Sequence, residues 1–273
     1  MTVGEAIRAA AERLAPVSDT ARLDAELLMA HALGSTRSDM LLRAMRDPAP
    51  EGFAALIERR MGHEPVAYII GTAEFHGLTL AVTPATLIPR GDSETLVEAA
   101  LEHAGEAGRA IDLGTGTGAL LLALLSNRAG WHGVGVDASQ AALSVAGRNA
   151  ASLGLAERSV WRCRDWRNPG WTDDLASFDL ILCNPPYVEE EAVLDRQVRD
   201  FEPASALFAG PEGLDDYRIL IPQLRALMNP QAVVILEIGA NQAEQVSALA
   251  AASGFAADLR RDLAGRARAL ILR

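Results

Sequence analysis

The sequence contains no lysine, and all 25 of its basic charges are arginine. Without a lysine amine there is no Schiff base with a carbonyl substrate or with pyridoxal phosphate, and no phosphate-binding loop ending in Gly-Lys-Ser/Thr. Positive charge is also outnumbered, 25 against 36 Asp and Glu, which leaves a net charge of −11. That field repels a phosphate backbone at long range, so direct nucleic-acid binding is disfavoured. Cysteine is scarce: only Cys163 and Cys183 occur, in neither a disulfide framework nor a metal-ligand spacing, and both are expected to be buried thiols in a reducing compartment. The five histidines show no ligand spacing either, and no metal is expected. No window approaches the ~20 apolar residues that span a bilayer, and the N-terminus carries no basic segment followed by an apolar run. A cytoplasmic location with no membrane partner is the expectation.

What is present points to packed α/β structure. Hydrophobic residues make up 49% of the chain and charged residues 22%, enough apolar material for a sizeable core, and 273 residues suit one large and one small domain. Apolar residues at helical spacing, such as Leu23, Leu27, Leu28 and Phe53, Leu56, Ile57, predict a small helical domain over residues 1–72, without a catalytic motif. Alternation through Leu78, Leu80 and Val82, between Gly77 and Pro84, predicts a hairpin or extended connector over 73–88. From 89 to 273 strand and helix signals alternate as in βαβ units, which implies a mainly parallel, Rossmann-like sheet wrapped by helices.

The first chemical signal is Asp112-Leu113-Gly114-Thr115-Gly116-Thr117-Gly118, where an apolar strand end runs into a glycine loop and then a helical run from 119 to 125. Glycines let backbone approach a ligand closely, but the dinucleotide fingerprint requires a different spacing, Gly-x-Gly-x-x-Gly, to seat a pyrophosphate. Asp112 would sit awkwardly beside a pyrophosphate, whereas a carboxylate can receive the ammonium of an amino-acid cofactor. S-Adenosylmethionine is therefore favoured over NAD. Nineteen residues after Gly118, a second strand ends in Asp137, where an acid can accept hydrogen bonds from two ribose hydroxyls. Asp165-Trp166 follows a third candidate strand at 160–163, at the place for an adenine. A tight turn is the plain reading of the glycines, and a core indole that of Trp166.

The apolar strand at 178–183 ends at once in Asn184-Pro185-Pro186-Tyr187. Residues before proline are driven away from helical geometry, so carbonyls here stay available. An amide or aromatic amine nitrogen attacks poorly because conjugation holds its lone pair. The Asn184 side-chain oxygen and the Pro185 carbonyl can accept its two hydrogens and aim the nitrogen at a methyl donor, and Tyr187 can stack on the planar group. No strong general base is required.

These residues resemble the peptide chain release factor N5-glutamine methyltransferase family, and the likeness covers nearly the whole chain. Glu64-Pro65-Val66-Ala67-Tyr68-Ile69, Glu74-Phe75-His76-Gly77-Leu78, Leu87-Ile88-Pro89-Arg90, Phe201-Glu202-Pro203, Leu236-Glu237-Ile238-Gly239 and Asp262-Leu263-Ala264-Gly265-Arg266 all contribute. The resemblance implies a class I S-adenosylmethionine-dependent fold that acts on the glutamine of the GGQ loop in release factors, in translation termination. It assigns Gly114 to Gly118, Asp137, Trp166 and Asn184 to the cofactor, and Asn184, Pro185, Pro186 and Tyr187 to the substrate glutamine. One departure is visible: Gly91-Asp92-Ser93-Glu94 stands where the family has proline and Glu-Thr-Glu, which leaves the geometry of Arg90 open. Two other reactions use related chemistry, glutamine methylation of a ribosomal protein and N6-methylation of adenine in nucleic acid, and a noncatalytic cofactor-binding adaptor is a third class. Glu189-Glu190-Glu191, after the tetrapeptide, would repel phosphates if it lies at the cleft mouth; its plain reading is a solvated helix face.

Overall fold

A computed structural model of the protein describes residues 1–273, which divide into two units: Met1–Thr72 with Leu194–Phe201, and Ala73–Val193 with Glu202–Arg273. The division departs in one place from an uninterrupted segment over 89–273, because 194–201 groups with the N-terminal helices through contacts that local pattern cannot show.

The first unit contains α1 (Val3–Leu14), α2 (Ala21–Leu33), α3 (Arg37–Asp39), α4 (Phe53–Met61) and α5 (Val66–Ile70). Thr2 and Glu5 start α1 with reciprocal side-chain bonds to each other's backbone amides, and Gly34, at φ 63°, ends α2 in the left-handed region. Val3, Ile7, Leu14, Leu28, Met29 and Ile57 are buried in its core. Within that core lies an ion pair: Arg60 Nε donates to Asp24 Oδ2 at 2.7 Å, and the Ser18 and Thr20 hydroxyls donate to the same carboxylate at 2.7 and 2.8 Å.

The second unit opens with the two-stranded pair β1 (Thr72–Phe75) and β2 (Leu78–Ala81), turning at His76-Gly77, and α6 (Glu94–His103). Then follow β3 (Ala107–Leu113), α7 (Ala119–Asn127), β4 (Gly130–Asp137), α8 (Gln140–Ser152), β5 (Ser159–Cys163) and β6 (Phe178–Cys183). After α9 (Arg196–Arg199) of the first unit come α10 (Asp215–Leu220), β7 (Met228–Glu237), α11 (Ala243–Ala252), β8 (Ala257–Arg261) and β9 (Ala267–Leu272). The seven-stranded sheet runs β5-β4-β3-β6-β7-β9-β8. Its first five strands are parallel, and β9 inserts antiparallel between β7 and β8.

Both faces of this sheet are covered, so the central strands are apolar at successive positions rather than alternate ones. Leu180 and Leu182 of β6 face one core with α6 and α7, while Ile181 and Cys183 face the other with α10 and α11. No helix is long and apolar enough to cross a membrane. Cys183 is buried as expected, but Cys163 is exposed. It ends β5, one of the two edge strands of the sheet.

Removing one partner of a buried ion pair strands the other charge in the core. Arg60→Met should therefore destabilise the helical unit by about 3 kcal/mol, and Asp24→Asn in the same chain should restore part of that loss. Urea denaturation followed by circular dichroism measures both; an unchanged midpoint for Arg60→Met would show the pair to be energetically idle.

Candidate active site

In an open parallel sheet, ligands bind beyond the strand carboxyl ends where strand order reverses, because the connections diverge there and leave a crevice. Here the reversal lies between β3 and β6, whose last residues Leu113 and Cys183 are register partners. A cavity of about 310 Å³ occupies that position, within the range of small-molecule sites. Asp112, Gly114, Thr115, Gly116, Thr117, Asp137, Trp166, Asn184 and Pro186 all line it, while Gly118, Pro185 and Tyr187 do not.

The glycine loop is left-handed at Gly114, Gly116 and Gly118, with φ of 72°, 54° and 82°. A side chain at any of the three would be strained, and one at Gly114 would also come within 3.2 Å of the Trp166 ring. The Gly114 and Thr115 amides both donate to the Val136 carbonyl at 2.9 Å, which ties the loop to the end of β4.

Two carboxylates face the cavity from the strand ends. Asp137 is pinned by backbone, since Gly116 N donates to Oδ2 at 2.9 Å and Ser139 N to Oδ1 at 2.8 Å. Each oxygen keeps acceptor capacity for a hydroxyl. Burial raises its pKa, against the lowering effect of those two amides. Asp112 is buried more completely; the Thr115 hydroxyl donates to Oδ2 at 2.6 Å, the Leu121 amide in the first turn of α7 also faces the carboxylate and favours its charged form, and Oδ1 lacks a well-formed hydrogen bond. Burial pushes its pKa up to about 7, with the Thr115 bond opposing the rise. A buried carboxylate oxygen left unpaired on a cavity wall is an incomplete cation-binding site.

Trp166 is held from behind. Its indole Nε1 donates to Asp216 Oδ1 at 2.8 Å, and Arg167 donates to both oxygens of the same buried carboxylate, each at 2.8 Å. The ring is 9% exposed, packed into the core on one side and lining the cavity on the other. Arg90 and Pro89 close another side. The Arg90 guanidinium donates to Glu202 Oε1, and Ile88 N donates to Glu202 Oε2 at 3.3 Å, so a buried glutamate fixes the segment where proline is replaced by Gly91. Burial raises the pKa of Glu202, with Arg90 opposing.

Asn184 and Pro186 reach the cavity, whereas Tyr187 is not part of its lining. The Tyr187 hydroxyl donates to Glu237 Oε1 at 3.3 Å, and its own pKa is pushed upward by burial and by that neighbouring carboxylate. Glu237, at the end of β7, is buried, has an unpaired Oε2, and is raised by burial to about 7. Glu189, Glu190 and Glu191 form an exposed turn rather than a helix face, and none of them lines the cavity. Asp216, Glu202 and Glu237 carried no recognisable chemical motif of their own in the sequence; only their places in segments that resemble the family, Gly210 through Asp216 among them, marked them.

A family model described as PrmC N-terminal domain matches residues 5–71, and one described as methyltransferase small domain matches residues 91–209. A release factor glutamine methyltransferase of Rhodospirillum rubrum is 42% identical, over 92% of this chain and 78% of its own length. One from Cereibacter sphaeroides is 41% identical over 98% of this chain and 97% of its own. The chain belongs to the release factor glutamine methyltransferase family. Among solved structures, a methyltransferase from Pyrococcus furiosus aligns at a TM-score of 0.54 and 16% identity, covering 72% of this chain and 88% of that one. A ribosomal protein L11 methylase from Lactobacillus delbrueckii subsp. bulgaricus aligns at 0.50 and 22%, covering 70% and 83%. These two likenesses concern the fold alone, a class I methyltransferase sheet; the helical N-terminal unit is matched by the first family model.

The raised pKa of Asp112 has a consequence for stability. Between its ordinary value of 3.8 and about 7 the folded protein keeps a proton that the unfolded chain has released. The contribution of this group to stability therefore falls as pH rises through that window, and the penalty is complete above it. Asp112→Asn, which can still accept from Thr115, should stabilise the ligand-free protein by about 2 kcal/mol at pH 8 and by much less at pH 5. Urea titrations at the two pH values measure the difference; an equal effect at both would show that Asp112 stays ionised throughout.

Proposed function

We propose that the chain transfers a methyl group from S-adenosylmethionine to the side-chain amide N5 of the glutamine in the GGQ loop of a peptide chain release factor. The observation that carries this reading is the meeting of Asn184, at the end of β6, with the glycine loop and the unpaired Asp112 carboxylate on one cavity. Family membership supports it along nearly the whole chain.

The cavity residues fit the cofactor. Asp112 Oδ1 would receive the ammonium of its amino-acid portion, the loop amides from Gly114 to Gly118 would approach its backbone, and Asp137 would take the ribose hydroxyls. Trp166 would lie against the adenine. Bound there, the cofactor supplies an electrophilic methyl on a cationic sulfonium. The Asn184 side-chain oxygen and the Pro185 main-chain carbonyl would accept the two hydrogens of the glutamine amide, turning its nitrogen toward the methyl. Pro186 stiffens that turn, and Tyr187 would flank the planar amide with its hydroxyl tethered to Glu237. Glycines beside the target glutamine would let its backbone enter a narrow cleft. The helical first unit, which has no cavity-lining residue, is assigned to recognition of the protein substrate.

Four outcomes test the reading. Asp137→Ala should weaken S-adenosylmethionine binding by about 1–3 kcal/mol, read by calorimetry; an unchanged affinity would remove Asp137 from the site. Binding should also tighten as pH rises through about 7, because the ammonium needs the ionised form of Asp112, and Asp112→Asn should abolish that dependence. Asn184→Ala should lower kcat far more than it lowers cofactor affinity, since the bonds it removes count most as nitrogen attacks. Mass spectrometry of release factor after incubation with labelled cofactor decides the substrate: one methyl on the loop glutamine is expected, and label on DNA adenine with none on release factor would overturn the assignment.

A further inference from the structure

We propose that Gln242 is the positioning residue that sets the Asn184–Tyr187 turn against the cavity, and that it acts by donating from its amide nitrogen. The proposal rests on the assignment of that turn to the substrate amide.

Gln242 directly precedes α11, yet its side chain makes no bond to the first turn of that helix. It reaches instead across three loops. Nε2 donates to the Tyr187 carbonyl at 3.1 Å and to the Gly213 carbonyl at 3.2 Å, while Oε1 accepts from Gly239 N at 3.0 Å. The residue is 8% exposed, so these bonds form with water largely excluded. One amide group thus joins the exit of β6, the loop before α10 and the exit of β7. The chain beyond the turn is fixed as well: Tyr187 and Val188 amides both donate to the Leu207 carbonyl, at 3.2 and 2.8 Å.

The surroundings leave no room for another arrangement. A side chain at Gly213 would lie 2.3 Å from the Tyr187 carbonyl, and one at Gly239 would lie 2.7 Å from Gln242 Oε1. Two glycines therefore make the space in which the amide bridges. Two carbonyl oxygens converge on one side of the bridge and one N–H on the other, which is the pattern a carboxamide satisfies and a carboxylate does not. Gln242 does not line the cofactor cavity. Its effect must therefore pass through the turn, where a displacement of about 1 Å costs on the order of a hundredfold in rate.

The test compares full-length Gln242→Met, Gln242→Glu and Asn184→Ala with the unmodified protein, using intact release factor and S-adenosylmethionine. Gln242→Met keeps the length and removes all three bonds; kcat should fall at least about tenfold while the Kd for S-adenosylmethionine stays within about twofold. Gln242→Glu presents a carboxylate to two carbonyls unless it is protonated. Its activity relative to the unmodified protein should therefore rise as pH is lowered from 8 to 6, by about threefold or more. Taking the ratio at each pH cancels the titration of Tyr187 on the turn, of Glu237 at the end of β7 beside it, and of Asp112 in the cavity. Normal kcat for Gln242→Met alongside a disabled Asn184→Ala would overturn the positioning role and leave the functional assignment standing. Normal kcat for Asn184→Ala would overturn the assignment itself. If Gln242→Met does not fold, the Gln242→Glu ratio decides, and a ratio flat with pH overturns the proposal.

Discussion

Leu113 and Cys183 pair in register on adjacent parallel strands, and from that alignment both chains leave the sheet at the same level. One becomes the glycine loop and the other the Asn-Pro-Pro-Tyr turn. They lie close enough that a side chain at Gly114 would sit 3.7 Å from the Asn184 carbonyl. A slip of one residue would send alternate side chains of β6 to the wrong core and carry Asn184 off the cavity, so the packing of two buried faces also fixes the reacting geometry. The unpaired strand ends at the reversal of sheet order supply the crevice, and nothing in the loops has to create it.

Buried carboxylates then divide the work around this crevice according to what each one is paired with. Asp137 is held by two amides and Asp216 by an indole and a guanidinium, so both are structurally satisfied before any ligand arrives. Asp112 and Glu237 each keep one oxygen without a partner, and burial lifts each to about 7. The first faces the cavity and the second does not, which gives the same physical strain different uses. An ammonium brought to Asp112 would favour its ionised form and relieve the penalty, whereas Glu237 is partly relieved by the nearby Ser93 hydroxyl, the Arg268 charge and the Tyr187 hydroxyl.

The features legible in the sequence are those whose chemistry is local. Three glycines at alternate positions, an acid at a strand end and a strand running into Asn-Pro-Pro-Tyr are patterns within a few residues, and the structure gathers most of them on one cavity. The residues that hold these parts in place were not legible as such. Asp216 lies 50 positions from Trp166, Gln242 lies 55 from Tyr187, and Glu202 lies 112 from Arg90. No spacing rule connects pairs at such separations, because tertiary folding alone brings them together. The same reason explains the grouping of 194–201 with the N-terminal helices and the exposure of Cys163, whose strand reads like its neighbours until the sheet order makes it an edge. Tyr187 differs in kind. Its place in the motif assigns it to the substrate amide, but a motif gives no side-chain direction, and the bond from its hydroxyl to the buried Glu237 was not legible.

The absence of lysine acquires a structural sense once the arginines are traced. Arg167 grips both oxygens of the buried Asp216 while Trp166 shares one of them, a three-way junction that needs a planar fork rather than a single ammonium. Arg158 donates to the carbonyls of Leu125, Arg128 and Trp131 at 2.9, 3.0 and 3.1 Å, joining the last turn of α7, the link that follows it and the start of β4. Since α7 follows the glycine loop directly, that guanidinium anchors the far end of the element whose near end shapes the cavity. An ammonium offers three donors from one atom and could not span these carbonyls with the same geometry. In a chain whose acids outnumber its bases, arginines such as Arg158 and Arg167 each serve several acceptors, and guanidinium is the side chain able to do so.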